Sequence, residues 1–222
     1  MKNLILIAVF SITTNFIVNA QSPRIGFTAG AAFANLKAKA DGESESAKSK
    51  VGLTAGILID IPLSKNLSFQ PALNFVQKGA QDEETSGGVT DKYKMTINAI
   101  ELPLNFLYNA SSNTGNFFIG AGPSLAFHIS GKVKYDDGTD SYSEDIKFGN
   151  NEDEDDFKGM GFGANFLTGY RFPNGLQISG HYNAGLSNLF IDGSSDYSLK
   201  SSYFGVKIGF LLNGKNNSAK SE

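Results

Sequence analysis

The residues best able to do chemistry sit in "FFIGAGPSLAFHIS", Phe117 to Ser130, and in the acidic stretch after it. His128 and Ser130 are two apart, the spacing at which a base and a hydroxyl nucleophile share one face of a strand. Gly120 and Gly122 start a glycine pattern of the phosphate-binding kind, but Leu125 stands where the third glycine belongs and no helix pattern follows. They read instead as strand glycines that make room. His181 reads as a hydrogen-bonding interior group. Further on, "DDGTDSYSED" and "NNEDEDDF" concentrate carboxylates. Asp153 and Asp155, with Asp136, Asp137 and Asp140, are oxygen donors of the type that a hard cation such as calcium takes. The EF-hand spacing of glycine and distal glutamate is missing, so the bland alternative is a solvated acidic loop at residues 130–158. No cofactor is implied by any motif.

What positions these residues is alternation. Ile25, Phe27, Ala29, Ala31 and Phe33 share one parity, as do Val51, Leu53, Ala55, Ile57, Ile59 and Ile61. The same holds for Leu67, Phe69, Leu73 and Phe75, and for Ile100, Leu102, Leu104, Phe106 and Tyr108. Phe117, Ile119, Ala121, Leu125 and Phe127 continue it, followed by segments around Phe162–Tyr170, Leu176–Tyr182 and Phe204–Leu212. Period two predicts eight strands, each with two different environments. Pro71 and Pro123 fall on the apolar parity and Pro103 on the other, where local bulges are expected to absorb the missing N–H groups.

Charge sorting and connector length identify those environments. Arg24, Asp60, Lys78, Glu101, Arg171 and Lys207 all take the polar parity. Connectors alternate between short ("SKN", "ASSNTG", "PNG") and long polar ones ("KAKADGESESAKSK", "AQDEETSGGVTDK", the acidic stretch, "SNLFIDGSSDYSLKS"). That is the rhythm of an outer-membrane barrel, and strands of about ten residues suit a tilted crossing. The expected fold is all-β: an eight-stranded antiparallel up-and-down transmembrane β-barrel spanning residues 21–212. Its apolar parity faces lipid, and its interior is filled by the six charged side chains, with Asp60 and Glu101 neutralising the cations.

The termini fit export. Lys2, the apolar run Leu4–Ile12 and the small residue Ala20 predict a signal peptide over residues 1–20. Thr13, Thr14 and Asn15 break the run short of a spanning helix. Residues 213–222 read as a polar tail. The chain has no cysteine, hence no lipid-modified cysteine and no disulfide, and its formal net charge of −3 gives no footprint for nucleic acid.

"LSFQPALNFVQKGA", "INAIELPLNFLYN", "FFIGAGPSLAF" and "LQISGHYNAGLSNL" resemble segments of the outer-membrane β-barrel domain of Bacteroidetes, the PorT-like group, with the OmpA/OmpX type of eight-stranded barrel. The resemblance implies an outer-membrane location and contact with outer-membrane lipid and lipopolysaccharide. It also implies a monomer without catalysis, whose loops meet an extracellular ligand or a secretion-system partner. The sequence departs from the usual pattern at its end, where "NGKNNSAKSE" follows Phe210 and Leu212. Lipid A deacylase, another eight-stranded barrel, is similar in using a His and a Ser two apart. That similarity keeps a lipid A-modifying esterase or deacylase at the outer rim as an alternative. A soluble periplasmic ligand-binding barrel is the other.

Overall fold

Alternating apolar and polar residues make a strand stable only where its two faces meet different surroundings, and the strands here close on themselves to provide that. The structure is a computed structural model that describes residues 22–86 and 89–212. The expected signal peptide and polar tail lie outside the described residues. In chain order the strands are β1 (Arg24–Ala40), β2 (Glu43–Ser46), β3 (Lys48–Pro62), β4 (Leu67–Ser86), β5 (Val89–Ser112) and β6 (Gly115–Asp136). They continue with β7 (Ser141–Ile146), β8 (Phe148–Gly149), β9 (Phe157–Lys158), β10 (Met160–Arg171), β11 (Leu176–Gly185) and β12 (Ser198–Leu211).

Eight of these form the ring β1-β3-β4-β5-β6-β10-β11-β12, all antiparallel. Pairing of β12 with β1, from Gly26↔Leu211 to Lys39↔Ser198, completes the circle. Closure leaves no sheet edge at the level where lipid would surround it. Phe27, Leu53, Ile59, Phe106, Ile119 and Phe162 are exposed on the outside, whereas Asp60, Glu101 and Lys207 are buried inside. On β3 the outward belt runs from Val51 to Ile61. At about 3.4 Å per residue and a tilt of about 45°, those strand steps rise roughly 24 Å, the height of a bilayer's hydrocarbon.

Three connections at one end are short: residues 63–66, 113–114 and 172–175. The opposite end departs from the expectation of long loops, because three of its four connections are largely strand. Asp41 and Gly42, both at positive φ (51° and 84°), turn β1 into β2 as a two-residue hairpin. β4 and β5 stay paired out to Ser86↔Val89, and β6 with β7 from Gly131↔Ile146 to Asp136↔Ser141. Strands of 20, 24 and 22 residues therefore project well past the belt.

Inside that projection the pattern inverts. Leu36, Ala80, Met95, Ile97, Ile146 and Leu189 cluster within it, with Phe148, Phe157 and Leu199 against them. Lys92, Lys94, Lys132 and Lys134 lie exposed on alternate positions. Below, at belt level, the exterior is apolar and the interior holds the charged and amide side chains around a small apolar cluster of Leu107, Phe118 and Leu167. Above it the barrel is built like a water-soluble one.

Register shifts fall at two places, in β3 between Ser49 and Thr54 against β4, and in β6 at Ile129 against β5. Neither is at a proline. Pro71, Pro103 and Pro123 pair in unshifted register with Leu104, Ser124 and Ala164, so the expected proline bulges are absent.

Candidate functional site

The inward charges gather into two clusters stacked along the barrel. Near the short-turn end, Asp60 Oδ2 lies 2.5 Å from Arg24 Nη2 and 3.5 Å from Arg171 Nη1, and Gln70 Nε2 donates to Asp60 Oδ1 at 3.4 Å. Asp60 sits directly opposite Arg24 in the β1–β3 ladder, which is why this pair forms. Near the outer end of the belt, Lys78 pairs with Glu101, whose Oε2 accepts a hydrogen bond from Tyr203 Oη at 2.7 Å. Lys78 Nζ also lies 5.6 Å from the centroid of the Tyr203 ring. Lys207 is buried and makes no ion pair among the described residues. Asparagine, glutamine and serine side chains fill the space between, for example Asn165 to Asn105 at 2.9 Å and Asn183 to Ser124 at 2.8 Å. The void lined by Lys207, His181 and Asn105 measures about 20 Å³, room for a single water.

Gly122 serves this construction by close approach. A Cβ there would sit 1.9 Å from the carbonyl oxygen of Leu104 on the neighbouring strand. His181 is interior and shares a hydrogen bond with Ser179 at 2.8 Å.

The structure does not assemble His128 and Ser130. The extra residue at Ile129 shifts the register from Asn98↔Ser130 to Ala99↔His128, so the two side chains no longer share a face. His128 is buried, and its Nδ1 lies 2.8 Å from the carbonyl oxygen of Lys158. Ser130 is exposed, and its Oγ accepts from Asn98 Nδ2 at 2.9 Å. The proposed nucleophile and base thus have separate partners, and among the described residues no carboxylate hydrogen-bonds the His128 ring.

The aspartates cap turns. Asp136 Oδ1 accepts from Gly138 N at 2.9 Å, and Asp137 Oδ1 from Thr139 N at 2.9 Å and Asp140 N at 2.7 Å. Asp155 Oδ2 accepts from Asn151 N at 3.0 Å, while Asp153 N donates to Asn151 Oδ1 at 3.3 Å. These turns are separate. Among the described residues no group of three or more His, Asp or Glu side chains is placed to hold a metal ion.

A wide concavity at the outer end was not foreseen from the sequence. Residues 147–159 and 186–197 fold across the barrel's outer mouth, tied by Lys158 N to Leu189 O and Leu189 N to Leu199 O, both at 2.8 Å. The parallel β8–β9 pair brings Phe148 opposite Phe157. A row of rings follows: His128–Phe148 at 5.4 Å, Phe148–Phe157 at 6.4 Å, Phe157–Phe190 at 5.9 Å and Phe190–Tyr197 at 4.7 Å, the last two stacked. Beside this row lies a cleft of about 670 Å³, with Leu36, Ala47, Met95, Phe157, Phe190 and Leu199 among its walls. The sequence signal that would have found it is the apolar set Tyr93, Met95, Ile97 and Ala99, on the parity opposite to Ile100–Tyr108.

The closed ring with its apolar exterior matches what comparison finds. A family profile described as "Outer membrane protein beta-barrel domain" matches residues 19–191. The chain belongs to this family. As an outer-membrane barrel it resides in the outer membrane, and the soluble periplasmic alternative falls away. No curated protein matches the chain. Among solved structures it is similar to Ail, the attachment invasion locus protein of Yersinia pestis, in complex with the heparin analogue sucrose octasulfate. That likeness has 13% identity, covers 86% of this chain and 100% of the other, and has a TM-score of 0.41. It is also similar to Neisserial surface protein A (13%, 88% and 100%, TM-score 0.41) and to a major outer membrane protein from Thermus thermophilus (12%, 86% and 100%, TM-score 0.45).

Proposed function

We propose that this outer-membrane barrel is a non-catalytic binding protein whose interior is a filled support and whose outer end holds the ligand site. One observation carries the reading. At belt level the void lined by Lys207, His181 and Asn105 is the size of a water, while the outer mouth opens into an apolar cleft of about 670 Å³, within the range of small-molecule sites. The separation of His128 from Ser130 supports the absence of catalysis. Lys94, Lys132 and Lys134 are exposed just beyond the apolar belt, at the level of lipopolysaccharide phosphates, and support contact with that surface. The PorT-like segments support a place in that group, and with it a partner in secretion reached through the outer end. A monomer suffices, because the ring closes within one chain.

The test is migration in detergent gels with and without boiling, on membranes separated by density. The expected result is an outer-membrane protein that runs faster unboiled, because a closed barrel stays folded in SDS. Recovery in the soluble periplasmic fraction, or identical migration before and after boiling, overturns the reading.

A further inference from the structure

The outer cleft is apolar in its depth and acidic at its mouth, and the two hairpins that flank it are splayed apart. β3 and β4 remain paired as far as Lys48↔Gln81. Among the described residues, beyond that point β2 pairs only with β1, and the tip of β4 only with β5. The cleft opens in this seam. Glu45 lines it from one side and Asp82 from the other. Glu43 is two residues from Glu45, and Glu84 two from Asp82, with Asp91 opposite Glu84 in the ladder. Alternation turns all five carboxylates toward the mouth.

One cation lines the cleft. Lys48 Nζ lies 3.0 Å from Asp82 Oδ1 and 3.0 Å from the carbonyl oxygen of Glu83, and both side chains of the ion pair are largely exposed. Such a pair is easily exchanged for another cation. Among the lining residues two carboxylates stand against one ammonium, and Glu43, Glu84 and Asp91 add negative charge beyond them, with the aromatic rings of Phe157, Phe190 and Tyr197 close by. An anionic amphiphile would place its charge among carboxylates. A cationic one would find attraction at the head, apolar walls for its body and aromatic faces beside its charge.

We propose that the cleft binds a small cationic amphiphile: a single apolar chain or ring system carrying one positively charged nitrogen. The proposal deepens the binding reading above and rests on it. The body occupies the space between Leu36, Met95 and Leu199, and the nitrogen lies between Glu45 and Asp82 in place of the Lys48 ammonium. Selectivity comes from the mouth, affinity from the walls.

The experiment uses the full chain in lipid nanodiscs, titrated calorimetrically with decyltrimethylammonium and with decanoate, protein-free discs being subtracted. The cation is expected to bind at least about tenfold more tightly than the carboxylate of equal chain length. The double variant E45Q/D82N is expected to bring that ratio close to one while the protein keeps its heat-modifiable migration. Ala47→Trp, which fills the cleft, is expected to abolish binding of both. Ala38→Phe does the same from the neighbouring strand of that wall if Ala47→Trp fails to fold. Equal or tighter binding of decanoate overturns the proposal. So does a cation affinity indifferent to the cleft-filling variants, or no saturable binding of either probe. Heat-modifiable migration of the same preparation would then show that the barrel reading itself stands.

Discussion

At the scale of single residues, the buried carboxylates set the stability of the barrel interior. Glu101 is almost completely buried, pairs with Lys78 and accepts from Tyr203. Removing one partner of a buried pair leaves the other charge uncompensated, at a cost of about 3–5 kcal/mol. Glu101→Gln is therefore expected to lower unfolding stability by that amount, measured by urea titration in bilayers with gel migration as the readout. Asp60→Asn should cost more, because it takes the carboxylate from two guanidiniums at once and one of them, Arg171, is only 4% exposed. Equal losses for the two variants would count against this assignment. The sequence made the inward side of all six charges legible, since parity alone decides it. It did not reveal who pairs with whom, because that depends on register. Arg24 meets Asp60 directly across the ladder, whereas Lys207 makes no ion pair among the described residues. Ser130 shows the same limit: one inserted residue at Ile129 undoes a face that spacing had assigned.

At the scale of elements, the outward hairpins carry what is specific to this chain. Their polar tips read as loops because Asp, Glu, Ser and Gly are poor strand formers. Yet the ladders persist, driven by the apolar cluster beneath them. The β6–β7 turn is held by Asp137, whose carboxylate accepts from the backbone N–H of Asp140 and of Thr139. Those bonds hold its pKa below the ordinary carboxylate value. A carboxyl group depressed in the folded state stabilises above its ordinary value and loses that contribution as pH falls through the lower folded one. Exchange protection of the Thr139 and Asp140 amides should accordingly persist at pH 5 and disappear only below the ordinary carboxylate range. Loss of protection above pH 5 would show that Asp137 does not hold the turn. The same logic keeps Asp82 charged, since Lys48 and the Glu83 N–H lower its pKa as well.

At the scale of the whole molecule, one chain carries two opposite solvation patterns, and the change between them is visible along β5. Tyr93, Met95, Ile97 and Ala99 take the inner parity, and from Ile100 onward the apolar residues take the outer one, with Leu107 the inward exception. The switch comes where the barrel leaves the bilayer: lipid requires the apolar face outside, water requires it inside. The sequence displayed this inversion, but a search for one continuous apolar parity per strand passes over it. Its consequence is a barrel sealed twice, by polar side chains at belt level and by an apolar cap above. The voids lined by Lys207 and by Lys78 measure about 20 Å³ each, one water apiece rather than a file of them. A hydrated ion crossing would have to pass the Lys78–Glu101 pair and then the buried Ile97 and Met95. Both barriers are closed in the folded state. Purified protein in a planar bilayer is therefore expected to give no conductance steps above those of the bare membrane under applied voltage. Regular steps from the native chain would mean that the cap or the interior opens, and the support role given to the interior would then be wrong.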